Sequence, residues 1–108
     1  MMEKSWIRVE EYPSCTDLPE EKPVEVTVGD RKICLLRRGE TVFAFSDRCP
    51  HAGVPLCTGH TDAKGHLVCP RHGYRFELLR GYNSSGEGYK LKTFGVEIRA
   101  DGIFVALA

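Results

Sequence analysis

The sequence predicts an all-β fold, an antiparallel sandwich or small barrel. Short apolar runs alternate with period two, as half-buried strands do. The runs are separated by tight turns rich in glycine, at a spacing too short for intervening helices. Pro50, Pro55 and Pro70 stand where a helix would otherwise have to run, and each disfavours one.

In chain order, Val24-Glu25-Val26-Thr27-Val28 alternates cleanly and reads as a strand. Gly29-Asp30 is a hairpin turn, and Arg31 to Arg37 is the returning strand. Arg38-Gly39-Glu40 is the next turn and leads into Thr41 to Ser46. Leu67-Val68 and Tyr74 to Leu78 are shorter strands. Val96 to Arg99 and Ile103 to Val105 flank Ala100-Asp101-Gly102, a strong hairpin signal. The one helical candidate is Ser14 to Lys22, where Thr16 and Asp17 are placed to cap a turn around Leu18. No repeat, linker or low-complexity tract interrupts the 108 residues, so a single domain over residues 1–108 is expected.

Composition narrows the function classes. Fifteen Lys+Arg balance 15 Asp+Glu, for a net charge of zero. Nucleic-acid binders need a basic excess to engage phosphates, so that class is excluded. The 42% hydrophobic and 28% charged content is that of an ordinary globular protein. The longest apolar run, Ile103 to Ala108, is far short of the roughly 18 residues that span a bilayer. Met1 to Arg8 mixes charges and has no apolar core of a signal peptide, so the expected compartment is the cytoplasm. The five cysteines, Cys15, Cys34, Cys49, Cys57 and Cys69, cannot all pair within one chain. In a reducing compartment, clustered cysteines point to metal ligation or catalysis rather than disulfides.

Two segments carry chemistry: Asp47-Arg48-Cys49-Pro50-His51-Ala52-Gly53 and Val68-Cys69-Pro70-Arg71-His72-Gly73-Tyr74. The pattern is Cys-x-His, seventeen residues, Cys-x-x-His. In an extended segment Cys49 and His51 leave on the same side, about 7 Å apart at the backbone. Cys69 and His72, three apart, suit a tight turn that presents both groups. Each cysteine precedes a proline, which biases it toward extended geometry. Gly53 and Gly73 follow closely, where a missing Cβ lets backbone approach a metal centre. Two cysteines and two histidines satisfy tetrahedral zinc, but zinc sites usually group like ligands, whereas here each loop is mixed. A plant-type ferredoxin needs four cysteines at other spacings. A [2Fe–2S] cluster with two cysteines on one iron and two histidines on the other fits one Cys and one His per loop.

Cys49-Pro50-His51 with Cys69-Pro70-Arg71-His72-Gly73 resembles the paired signature of Rieske iron–sulfur proteins. The supporting strand pattern extends the resemblance over roughly Trp6 to Ala106. It implies an antiparallel β-sandwich with a small cluster-binding subdomain, about residues 47–77, formed by two loops. It implies that Cys49 and Cys69 hold the inner iron, and that His51 and His72 hold the outer iron near the surface. Respiratory-chain relatives carry an extra cysteine in each loop, joined by a disulfide; this chain has Val54 and Arg71 at those places. They also set Ser and Tyr hydroxyls near the cluster, where Tyr74 and Phe76 are the matching residues here. Fewer hydrogen bonds to the sulfurs leave the reduced cluster less stabilised, so the expected midpoint is about −150 mV. The family's third, shielding loop often carries proline; its equivalent here, Asn83 to Tyr89, has none.

Two ferric ions, two sulfides and two thiolates sum to zero with neutral imidazoles, against −2 for four thiolates. Adding an electron to the neutral centre is easier. Ferric iron also acidifies the imidazoles, so the midpoint is expected to be flat near neutrality and to fall at alkaline pH.

The remaining residues read more plainly. Cys34 reads as a small buried hydrophobe, Cys57 as a packing residue and Cys15 as inert. His60 and His66 read as loop residues outside the ligand set. Arg48, Arg71 and Arg75 form a solvated face that can also steer an acidic partner. Trp6 and Tyr82 read as core or edge packing, and the sequon Asn83-Ser84-Ser85 carries no meaning in a cytosolic chain. The resemblance implies a soluble one-electron carrier, not an enzyme itself, that serves a multicomponent oxidoreductase. It would meet a flavin reductase and a terminal oxygenase or similar acceptor transiently, with no nucleic acid, membrane or small-molecule substrate of its own. The alternatives are the small subunit of an assimilatory NAD(P)H nitrite reductase and, further off, a structural zinc module.

Overall fold

The structure, a computed structural model, describes residues 5–50, 53–71 and 73–107. Among them there is no α-helix, and nine strands account for the regular structure. They are β1 (Trp6–Arg8), β2 (Val24–Val28), β3 (Arg31–Arg38), β4 (Thr41–Ser46), β5 (His60–Thr61), β6 (Leu67–Val68), β7 (Arg75–Phe76), β8 (Thr93–Arg99) and β9 (Gly102–Ala106). Six of them form an antiparallel sheet in the order β1-β9-β8-β4-β3-β2, and β5-β6-β7 form a second. The sheet is continuous but narrow at its middle, where β4 meets β8 only through Ala44↔Phe94 and Phe45↔Thr93. There it curls, so that Val26 and Val28 on one side and Ile103 and Val105 on the other share one apolar core with Ile33, Leu35 and Ala44.

A second core lies on the opposite face of β3 and β4. The run Ile33-Cys34-Leu35-Leu36 is buried throughout. Period two sends Ile33 and Leu35 into the first core and Cys34 and Leu36 into the second. β4 divides likewise, with Ala44 in the first core and Phe45 in the second. Leu56, Leu67, Phe76, Leu78 and Leu91 complete the second core, together with Cys49 and Cys69. The small sheet and the cysteine loops are thereby seated on the outer face of the large sheet, and β3 is shared between both. Burial on both faces is why this strand reads as an unbroken apolar run.

The expected hairpins at residues 29–30, 39–40 and 100–101 are present. β3 runs one residue further than expected, leaving a two-residue turn at Gly39-Glu40, with Gly39 in the left-handed region at φ 63°. Three short elements lacked a readable pattern: β1, β5 and a 3₁₀ turn at Leu56–Thr58. Two or three residues cannot display a periodicity, and β1 forms only because Ile7 pairs with Val105. The helical candidate shrinks to a 3₁₀ turn at Cys15–Asp17. Its cap is Ser14 rather than Thr16 or Asp17: Ser14 Oγ accepts from Thr16 N (3.4 Å), and Asp17 reaches back to Ser14 N (3.0 Å). Pro19 and Pro23 block continuation.

Candidate metal centre

The two cysteine loops are built alike. In the first, Cys49 N donates to Val54 O (3.0 Å) and Gly53 N donates to Cys49 O (2.8 Å). In the second, Cys69 N donates to Tyr74 O (2.8 Å) and Gly73 N donates to Cys69 O (3.0 Å). Each glycine sits four residues after its cysteine with φ near +70°, at 67° and 73°, and a Cβ there would meet nothing within 4 Å. The glycines serve backbone reversal, a left-handed residue closing each loop. Both sulfur-bearing residues end up almost fully buried, Cys49 at 2% and Cys69 at 1% exposure, in one apolar cluster. His51 and His72, the other two expected ligands, lie outside the described residues.

The necks of the loops differ. The second is closed by the β6–β7 ladder, Leu67↔Phe76 and Val68↔Arg75. The first is closed by the bridge Arg48↔Pro55 and by Leu56 N donating to Asp47 O (3.1 Å). A covalent bond reinforces it: Cys34 of β3 and Cys57, just past the loop, form a disulfide with Cα atoms 5.7 Å apart. This corrects the reading of both as packing residues. The odd cysteine count carried no pairing signal, because the partners are 23 residues apart and meet only once β3 lies beneath the loop.

Polar ties fasten the far edge. Arg38, at the end of β3, donates through Nη2 to Gly65 O (2.9 Å) in the β5–β6 turn. It also grips Glu21 through Nε and Nη2, while Thr61 Oγ1 donates to Glu21 Oε2 (3.0 Å). These hydrogen bonds hold the Glu21 carboxyl below the usual carboxylate range, and Glu21 in turn raises Arg38. The third loop lies along β7: Ser84 N donates to Arg75 O (2.9 Å) and Arg75 N to Ser85 Oγ (2.9 Å). The Tyr89 ring stands 5.9 Å from that of Tyr74 and sets this loop against the second cysteine loop without proline. Glu87 caps its polar end; hydrogen bonds from Ser85 and Asn83 hold its carboxyl low. His66 is bound locally, Nδ1 3.1 Å from Ser84 Oγ, and His60 is a β5 residue rather than a loop residue. Of the arginines, Arg48 and Arg71 are exposed, while Arg75 is 3.7 Å from Asp62. Tyr82, read as packing, is 54% exposed with Lys90 over its ring at 5.3 Å.

Buried sulfur donors on two matched loops suit a group that takes one thiolate from each. A family model for the Rieske [2Fe–2S] domain matches residues 7–94. The chain belongs to the Rieske [2Fe–2S] family. The ferredoxin of carbazole 1,9a-dioxygenase from Nocardioides aromaticivorans IC177 superposes on this Rieske chain with a TM-score of 0.82 at 25% identity, over 94% of this chain and 97% of that one. A ferredoxin–oxygenase complex of carbazole 1,9a-dioxygenase gives 0.79 at 28%, over 94% and 92%. The glycine betaine monooxygenase oxygenase subunit of Chromohalobacter salexigens is 34% identical over 93 residues, 77% of this chain. The Rieske chain spans between 11% and 21% of the length of the curated relatives it matches. Its cofactor is a Rieske-type [2Fe–2S] cluster and its role is to carry electrons. No helix among the described residues is long and apolar enough to cross a membrane.

Proposed function

We propose that this Rieske chain is a one-domain ferredoxin component that passes single electrons from a flavin reductase to an oxygenase or similar acceptor, through transient protein contacts. The observation that carries the reading is the pair of matched loops, each presenting one buried cysteine from the shared second core. The full-length likeness to a dioxygenase ferredoxin supports it. Cys49 and Cys69 are the inner ligands in this reading. His51, between Cys49 and Gly53, and His72, beside Gly73, are the outer ligands. The cluster supplies a one-electron couple raised by its histidine ligation. The chain's part is to exclude water from the sulfurs, by packing Leu56, Phe76 and Leu91 beneath them, and to hold both loops against β3 and β4. Arg48 and Arg71 are exposed next to the cysteines and add positive charge for an acidic partner to meet.

EPR of the anaerobically purified, dithionite-reduced protein tests this. A rhombic signal with the low average g of histidine-ligated [2Fe–2S], lost in Cys69→Ser and in His72→Ala, is the expected result. A colourless, EPR-silent protein holding one zinc, even from iron-supplemented expression, overturns it. Stable co-purification with a large flavin- and siroheme-bearing chain would replace the diffusing carrier by the nitrite reductase subunit.

A further inference from the structure

The Cys34–Cys57 bond ties the first cysteine loop to the large sheet. It joins β3, the strand next to the β2 edge of the large sheet, to the 3₁₀ turn that ends the first cysteine loop, eight residues after Cys49. Both partners of the bond converge on Asp47, at the start of that loop. Asp47 Oδ1 accepts from Cys57 N (3.4 Å) and stands 3.3 Å from Cys34 Sγ. Strand, loop entry and loop exit therefore meet at one point, and among the described residues the second loop has no covalent counterpart. The two residues also differ in access: Cys34 is fully buried, whereas Cys57 is partly exposed. Cys15 packs against the other core, so it is not placed to exchange with the pair.

We propose that Cys34 and Cys57 form a thiol–disulfide switch that locks the first cysteine loop when oxidised and loosens it when reduced. An external dithiol of the thioredoxin class opens it. One thiolate of the dithiol attacks Cys57 Sγ, at the less buried end; the Cys34–Cys57 bond breaks, and Cys34 leaves with the electron pair and takes up a proton. The Asp47 carboxylate is in place to accept the new Cys34 S–H. The second thiol of the dithiol then attacks the mixed disulfide and releases Cys57 as a thiol. Two electrons and two protons pass to the protein, and the dithiol becomes a disulfide. A small-molecule disulfide oxidant reverses the sequence. The bond stands independently of the cluster, but its effect on cluster retention rests on the ligand role proposed above for Cys49.

The test uses the full-length holoprotein. Alkylation of air-oxidised protein under denaturing conditions is expected to label Cys15, Cys49 and Cys69 only, and all five cysteines after reduction. Treating the folded protein with dithiothreitol is expected to expose Cys34 and Cys57 to label and to speed cluster loss to a chelator by about fivefold or more, as residues 47–57 lose their covalent tie to β3 and open more readily. The Cys34→Ala/Cys57→Ala double variant should lose its cluster at the fast rate with or without dithiothreitol, which separates loop release from any direct attack of the thiol on iron. Hydrogen exchange over residues 47–57 of the wild type, with and without reductant, gives the same comparison without a variant. Five labels before reduction, three labels after folded-state reduction, or unchanged exchange and loss rates would each overturn the switch. Starting protein without a cluster signal would refute the electron-carrier reading instead, and the label count and exchange would still decide the switch.

Discussion

Replacing Arg38 by Ala cuts the main polar tie between the large sheet and the β5–β6 turn, and the cost follows from its contacts. The guanidinium bond to Gly65 O is worth about 1.5 kcal/mol, as for a charged donor on a neutral acceptor. The Glu21 pair has both side chains more than a third exposed, 37% and 36%, so screening leaves about 0.5 kcal/mol. The guanidinium also lies 5.4 Å over the Phe43 ring, worth about 0.5 kcal/mol at such a site. The loss is then about 2.5 kcal/mol, or roughly 10 °C in Tm for a domain of this size. Arg38→Lys keeps the charge but not the fork, and should recover about half. The pH dependence has a definite sign. Glu21 is held below its ordinary value of 4.5 in the folded chain, so its stabilisation is full above that value and is lost as pH falls through the folded one. The gap between wild type and Arg38→Ala should therefore narrow from about pH 7 to about pH 3.5. Thermal unfolding followed by circular dichroism across that range reads both, and hydrogen exchange at residues 61–65 should quicken in the variant. A Tm drop below about 2 °C at neutral pH would show that the tie carries no net energy, and a gap that does not change with pH would show that the Glu21 pair contributes none of it.

Gly81→Ala should be severe, because its φ is +82° and a Cβ would lie 1.9 Å from Leu91 O. A cost above about 3 kcal/mol is expected, against about 1 kcal/mol for Gly39→Ala, whose φ is +63° with nothing within 4 Å; chemical denaturation compares the two. Glu25→Gln should raise stability slightly at neutral pH. Its carboxyl is pushed above the usual range because its protonated form donates a hydrogen bond to Asp47 and its ionised form is repelled by the same group, so its favourable contribution is present below 4.5 and lost as pH rises through the folded value. The variant's Tm profile should lack that fall, and a lower Tm near neutrality would contradict it. The midpoint potential should lie near the low end of the Rieske range, at about −150 mV, since Phe76 offers the sulfurs no hydroxyl; protein-film voltammetry giving a value above about 0 mV would refute this.

Much of this molecule is legible in one dimension. Val24 to Val28 alternates because one face of β2 is buried, and Ile33 to Leu36 does not because both faces of β3 are. Gly29-Asp30 and Gly39-Glu40 mark hairpins because a left-handed residue is needed there. The cysteine loops stand out because the cluster ligation proposed for them needs particular residue types at fixed local spacing, and Gly53 and Gly73 sit at equal offsets in two loops with matching backbone hydrogen bonds. What escaped depends on partners distant in sequence. β1 exists because β9 offers it an edge, and β5 because β6 does. The Cys34–Cys57 bond, 23 residues long, and the Arg38–Gly65 tie, 27 residues long, arise only when the second core brings the small sheet onto β3. Local chemistry is thus written into the chain, and the fold decided which strand the cysteine loops are bolted to, because a covalent or polar tie between remote residues leaves no periodicity to read.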